Sequence, residues 1–264
     1  MLVATGGVQT RDWWDDGFCA RLVALGLRVV RYDPRDTGES THWPPGAPGY
    51  TAVDLRDDAL AVLDALGVPR GHLVGLSAGG GIAQELALAF PERVASLTLI
   101  ATTAVDPRVG PLPRMSPDVG RALAGSPTPD SRDPTAAVDA LVEAERLVAG
   151  PTAFDEARVR AIARRVVARS RDLAASANHH LVTDPGDGPD DLAALPGLPT
   201  LVVHGTADPL FPAEHGRALA AAIPGARLLE VVGMGHQLPP AASWDVVVDG
   251  VAGLVGMVAQ SADA

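Results

Sequence analysis

Ser77 stands in Gly75-Leu76-Ser77-Ala78-Gly79, between the apolar run His72-Leu73-Val74 and a stretch carrying Ile82, Leu86 and Phe90 at helical spacing. A serine on so sharp a strand-to-helix turn is held in a strained backbone conformation. Side chains two residues either side would collide with strand and helix, so Gly75 and Gly79 have a steric reason. The turn lifts the hydroxyl above the sheet edge, at the positive end of the following helix, where an oxyanion is favoured. Alone the G-x-S-x-G pattern says little; framed by a strand and a helix it points to a nucleophile.

A serine hydroxyl attacks poorly at neutral pH unless a base takes its proton and an acid orients the base. The chain offers both, in the order Ser, Asp, His. Asp208 lies in His204-Gly205-Thr206-Ala207-Asp208-Pro209 and His236 in Gly233-Met234-Gly235-His236, each just past a β-type run. Carboxyl ends of parallel strands share one edge of a sheet, so the three residues can converge there. Ser77 is expected to attack, His236 to take and return the proton, and Asp208 to fix the imidazole tautomer. An oxyanion hole needs two donors: Ala78 supplies one N–H, and Gly7, in Thr5-Gly6-Gly7, is expected to supply the other.

The remaining candidates are weaker. His204 reads as a structural hydrogen-bonder, while His72, His42 and His215 show no partner pattern. His179 and His180 fit either packing or substrate contact. Cys19, the single cysteine, cannot form an intramolecular disulfide and reads as packing. No metal and no cofactor is expected.

Positioning these residues requires alternating strands and helices, and the chain has them. Strands are expected at Leu2–Thr5, Leu27–Asp33, His72–Leu76, Val94–Ala101, Thr200–His204 and Arg227–Val232. Helices are expected through Phe18–Leu25, Leu55–Leu66, Ala78–Phe90, from near Pro212, and over Trp244–Val258. This order describes a mainly parallel sheet with helices on both faces. From about Val105 to Asp191 the alternation stops and helical patterns take over. One runs through Phe154, Val159, Ile162, Val166, Val167 and Leu173, with arginines between that read as a solvated face. Asp184 to Asp190 reads as a hinge loop. The expected organisation is a core over residues 1–104 and 192–264 with a helical cap over 105–191.

The chain has 264 residues, 47% of them hydrophobic, which is enough for one full α/β core. All 21 basic residues are arginine, and the formal charge of −11 argues against nucleic acid as a partner. With neither an uninterrupted apolar run of about 18 residues nor a leader pattern, no membrane span is expected and a cytoplasmic location is the default.

With these residues in hand, the chain resembles the α/β-hydrolase superfamily over almost its whole length. Tyr32-Asp33-Pro34-Arg35-Asp36-Thr37-Gly38-Glu39-Ser40 is similar to the D-x-R-x-x-G-x-S turn that braces the active-site floor in that superfamily. Gly6-Gly7 followed by Trp14 and Phe18, together with Gly233-Met234-Gly235-His236, looks like the aclacinomycin methylesterase-like polyketide-tailoring esterases. The resemblance implies hydrolysis of a methyl ester of an aromatic polyketide through an acyl-serine intermediate, a small-molecule ester as partner, and no cofactor. Three departures stand out. The chain begins at the family's third strand, so the N-terminal hairpin is expected to be missing: either the start codon is placed late or one sheet edge is exposed and the protein less stable. Thr5-Gly6 replaces the usual His-Gly, and Ala78 stands where a larger Met is common, which implies a roomier pocket. Lactone opening, carbon–carbon hydrolysis, perhydrolysis and a weakly catalytic binding or cyclase role remain open on the same fold, as does the oligomeric state.

Overall fold

In the computed structural model, residues 2–4, 9–126, 129–151, 154–182, 188–195 and 197–262 are described. Six strands form one sheet in the order β2-β1-β3-β4-β5-β6, every neighbouring pair parallel. They are β1 (Leu2–Ala4), β2 (Val30–Arg31), β3 (Gly71–Leu76), β4 (Val94–Ile100), β5 (Thr200–Gly205) and β6 (Arg227–Val231). All seven residues of β4 are buried, as expected for a central strand covered on both faces.

The covering helices divide cleanly. On one face lie α1 (Asp16–Ala24) and α8 (Trp244–Ala262), whose Phe18, Leu22, Val247, Val251 and Leu254 pack with Val74, Leu76 and Val203. On the other lie α2 (Ala52–Ala65), α3 (Ala78–Ala89) and α7 (Ala213–Ala222), with Leu63, Leu86 and Leu219 against Leu73, Leu97 and Val202. The helix starts carry their own chemistry. Asp15 caps α1 by accepting from the Gly17 N–H at 2.7 Å, and Thr51 and Asp54 form a reciprocal capping box on α2. Cys19 is buried in α1, as its apolar surroundings implied.

Between β4 and β5 come α4 (Pro117–Ala124), α5 (Pro134–Val148) and α6 (Glu156–Arg169), with no strand among the described residues. The two ends of this excursion meet: the carboxylate of Asp106 accepts the N–H of Leu192 at 3.1 Å.

Several expectations need correction. Among the described residues, the strand expected over Leu27–Asp33 pairs at Val30 and Arg31, with Leu2 and Val3 of β1, and Asp33 onward is consumed by a turn. β2 is therefore an edge with very little ladder. The helix expected to run on to Leu173 stops at Arg169: Ser170 turns extended, and the Arg171 N–H donates to the Gly38 carbonyl at 3.0 Å.

The arginines between its apolar positions are not simply solvated. Arg158 pairs with Asp15 at 2.8 Å, and Arg169 pairs with both Asp12 and Asp33, tying α6 to the core. Finally, Ala241–Val258 has a mean hydropathy of 1.5, so α8 is long and apolar enough to cross a membrane by length and composition. Asp245 and Asp249 interrupt that stretch, so it is not a continuous apolar run. Val247, Val248, Val251 and Leu254 are packed into the core.

Candidate active site

Ser77 joins β3 to α3 with φ 52° and ψ −119°, a left-handed conformation that is costly for a residue with a Cβ. Its surroundings hold it there. The Ser77 N–H donates to the Ile100 carbonyl at 2.9 Å, and its own carbonyl accepts from Gly80 N–H at 2.8 Å and Thr102 Oγ1 at 2.7 Å. Gly75 is required because a Cβ there would sit 2.2 Å from the Gly79 carbonyl oxygen. Strand and helix thus pass backbone against backbone, and the serine is left projecting above the edge.

The other two residues arrive as expected, each just beyond a strand. Asp208 follows β5 and is 5% exposed. Its Oδ1 accepts the N–H groups of Leu210 and Phe211 at 2.9 and 2.8 Å, which leaves Oδ2 free. That oxygen accepts from His236 Nδ1 at 2.9 Å. On the other side of the ring, His236 Nε2 accepts from Ser77 Oγ at 2.8 Å. The acceptor Oδ2 fixes the proton on Nδ1, so Nε2 presents a lone pair to the serine. The Phe211 ring packs against the imidazole at an interplanar angle of 74°, with the ring centroids 5.3 Å apart.

The loops carrying Asp208 and His236 are joined by the Ala207 N–H, which donates to the Met234 carbonyl at 3.0 Å. A second tie comes from outside the sheet. His236 N–H donates to the Val148 carbonyl at 2.8 Å, at the C-terminal end of α5. The approach is so close that a Cβ on Gly150 would lie 1.8 Å from the Gly233 carbonyl oxygen.

Of the two expected oxyanion donors, Ala78 opens α3 directly after the serine, where a helix N–H has no intrahelical acceptor. It also lines the cavity in front of Ser77. Gly7 lies outside the described residues, with Thr5 and Gly6.

That cavity has a volume of about 760 Å³. Leu55, Ile82, Leu123, Val148, Leu210 and Phe211 make much of its wall apolar. His179 and His180, for which packing and substrate contact were both open, each line it. The His179 ring also donates from Nε2 to the Arg35 carbonyl at 2.6 Å, and burial lowers its pKa, so the ring is held neutral in the wall. His204 is a structural hydrogen-bonder, donating from Nε2 to the Phe211 carbonyl at 2.8 Å. His215 has partners that its sequence context did not reveal: Thr103 Oγ1 and the Pro113 carbonyl, both at 2.8 Å.

The turn after β2, whose Pro34 lines the cavity, is held by a network of its own. Asp33 accepts the Arg11 N–H at 2.9 Å and a guanidinium N–H of Arg169 at 2.8 Å, while Ser40 Oγ donates to the Asp33 carbonyl at 2.6 Å. Burial alone would raise the Asp33 carboxyl. The Arg169 guanidinium and the N–H groups of Arg11 and Glu39 outweigh that and hold it below the usual carboxylate range.

One ionisable group in the cavity was not singled out from the sequence. Glu145, on the last turn of α5, lines the same space as Ser77 and His236. Burial pushes its carboxyl up to about 7, against smaller opposing effects of His236, Gln9 and Arg158. Its sequence setting, Val142-Glu143-Ala144-Glu145-Arg146, reads as an ordinary solvated helix face. Among the described residues no cluster of His, Cys, Asp and Glu could hold a metal ion.

Comparison with known proteins agrees with this geometry. A family model described as alpha/beta hydrolase fold matches residues 1–239. The chain is 35% identical over 255 residues to rhodomycin D methylesterase DauP of Streptomyces sp. (strain C5), covering 90% of this chain and 85% of that protein. It is 34% identical, with the same coverage, to rhodomycin D methylesterase DnrP of Streptomyces peucetius. The crystal structure of a hydrolase from Pseudomonas aeruginosa PA01 superposes with a TM-score of 0.64 at 30% identity, covering 97% of this chain and 89% of that one.

Proposed function

Because this chain belongs to the alpha/beta hydrolase fold family, we propose that Ser77, Asp208 and His236 form a catalytic triad that hydrolyses a carboxylic ester through an acyl-serine intermediate. The observation that carries this reading is the continuous relay from Ser77 Oγ through both imidazole nitrogens to Asp208 Oδ2, with links of 2.8 and 2.9 Å.

The chemistry follows from that relay. Ser77 Oγ attacks the ester carbonyl as His236 Nε2 takes its proton, and Asp208 stabilises the imidazolium that forms. The carbonyl oxygen, now an anion, is held by the N–H of Ala78 and that of Gly7, each such donor being typically worth about 3 kcal/mol in the transition state. His236 then gives its proton to the departing alkoxide, which leaves as the alcohol. Water attacks the acyl-serine, His236 takes a proton from it, and collapse returns that proton to Ser77 as the acid is released.

The substrate reading is finer. A methyl ester of an aromatic polyketide fits the apolar cavity, the space left by Ala78, and the names of the two Streptomyces relatives. Residues 105–191 act as a cap over the site, consistent with α4 and α5 supplying part of the cavity wall.

The test has two arms. Short-chain p-nitrophenyl esters should release p-nitrophenol with the wild type and not with Ser77→Ala; turnover that survives the substitution refutes the triad. A polyketide methyl ester should yield methanol with its ring skeleton intact. Cleavage of a carbon–carbon bond instead would overturn the substrate reading while leaving the nucleophile in place.

A further inference from the structure

Among the described residues, the cavity in front of Ser77 is lined by two acidic side chains, Glu85 on α3 and Glu145 on α5, and by no arginine, in a chain with 21 of them. The arginines closest to Glu145, Arg146 in sequence and Arg158 in space, are paired with other carboxylates. Arg146 pairs with Glu143 and Glu156, and Arg158 pairs with Asp15. Glu145 accepts from Gln9 Nε2 at 3.4 Å, a long hydrogen bond that brings no positive charge. Three residues further along α5, Val148 binds the backbone of His236. The helix that anchors the histidine loop therefore also carries this carboxyl into the histidine's cavity.

Ester hydrolysis changes the charge of what the cavity holds. A neutral ester enters and a carboxylate leaves. An acyl group that fits as the ester also fits as the acid, so shape alone lets the product compete for the site. A fixed negative charge beside it distinguishes the two.

We propose that Glu145 sets the charge selectivity of this cavity, retaining the neutral ester and expelling the carboxylate product unless Glu145 itself takes up a proton. The proposal deepens the ester-hydrolase reading and rests on it. Ionised, Glu145 repels the product. Protonated, it becomes a hydrogen-bond donor to that same carboxylate, so product binding carries one proton with it. The raised carboxyl places this exchange at about 7. The other charged or titratable groups around the carboxyl are Glu85 from α3, Asp155 and Arg158 at the start of α6, His179 and His180, and His236. Arg158 stays charged throughout and is already paired with Asp15. The histidines are common to wild type and variants, so a difference between those proteins reports Glu145.

The experiment measures binding of two isosteric probes, 1-naphthoate and the neutral 1-naphthamide, by calorimetry at about pH 6 and about pH 8.5, on either side of the Glu145 transition. The proteins are wild type, Glu145→Gln and Glu145→Asp, each checked for folding by circular dichroism. In the wild type the preference for the amide should rise at least about tenfold between the two pH values. Glu145→Gln should bind naphthoate about tenfold more tightly than wild type at the higher pH, and its preference should shift by less than about threefold. Glu145→Asp keeps the charge and should keep a pH-dependent preference. Equal pH dependence in wild type and Glu145→Gln, or failure of both probes to bind, overturns the proposal. Ser77-dependent release of p-nitrophenol, measured on the same samples, shows separately whether the ester-hydrolase reading stands.

Discussion

The carbonyl of Val148 accepts the backbone N–H of His236 at 2.8 Å. Val148 closes α5, a helix in the excursion between β4 and β5, whereas His236 follows β6 of the sheet. The proposed general base thus takes one of its anchors from a segment that contributes nothing to the sheet. Any shift of α5 relative to the sheet is felt at the imidazole.

Gly150 is the point at which to probe that coupling. A Cβ there would meet the Gly233 carbonyl oxygen at 1.8 Å, a clash with backbone that only movement of one chain can relieve. Gly150→Ala should lower kcat by about a hundredfold, the typical cost of displacing a catalytic group by about 1 Å. The KM for a small p-nitrophenyl ester should change far less. Steady-state kinetics check this, and an unaltered kcat would show that the contact does not position the ring.

Asp208→Asn should leave the fold intact, because the side-chain oxygen can still accept the N–H groups of Leu210 and Phe211. Its amide, however, would face His236 Nδ1 with a donor. The imidazole would then place its proton on Nε2, towards the serine. Turnover of p-nitrophenyl esters should drop by about 10⁴-fold with little change in melting temperature. A loss of less than tenfold would remove Asp208 from the relay.

Ser77 gives a stability comparison. Both Ser77→Ala and Ser77→Gly should abolish turnover, but only the glycine relaxes the backbone at φ 52°. Ser77→Gly should therefore be the more stable of the two by about 1 kcal/mol, the strain relieved exceeding the entropy that glycine adds to the unfolded chain. Chemical denaturation of the pair measures the difference directly. Equal midpoints and slopes would mean the turn stores no strain.

Arg169→Met should destabilise the protein by about 3 kcal/mol at neutral pH, because it leaves the buried Asp33 carboxylate without its guanidinium. The sign of the pH dependence follows from the depressed pKa of Asp33. A carboxyl held below its unfolded value contributes stability above about pH 3.9, and loses it as pH falls through the folded value. The gap between wild type and variant should accordingly be widest near neutrality and narrow below about pH 4. Urea melts across that range test it.

Most of the candidate site was legible in the sequence because the chemistry restricts it. A nucleophile on a strand-to-helix turn needs glycine where the backbones touch, and base and acid must follow later parallel strands. Ser77, Asp208 and His236 satisfy these demands within short, recognisable segments. What was illegible depends on tertiary neighbours. Glu145 differs in no local respect from Glu143 beside it, yet only Glu145 reaches the cavity. The arginines of α6 carry the periodicity of a solvated face, and nothing local reveals that Asp12, Asp15 and Asp33 await them. The run from Leu27 to Asp33 has strong β character, but its last residue is drawn into a turn, where the Asp33 carboxylate accepts the Arg11 N–H and the Asp33 carbonyl accepts from Ser40.

The insert is moored unevenly. Ion pairs fasten α6 to the core and a backbone hydrogen bond fastens the end of α5, while the cavity-facing Met115, Leu123 and Ser126 belong to α4 and its flanks, where among the described residues Arg121 pairs with Asp118 of the same helix. Replacing those three side chains can reshape the receiving surface without loosening a mooring or disturbing the proton relay. Laboratory evolution of new acyl preferences should begin there, since α4 supplies none of the hydrogen bonds that seat the proposed triad, whereas α5, which shares the wall, supplies one.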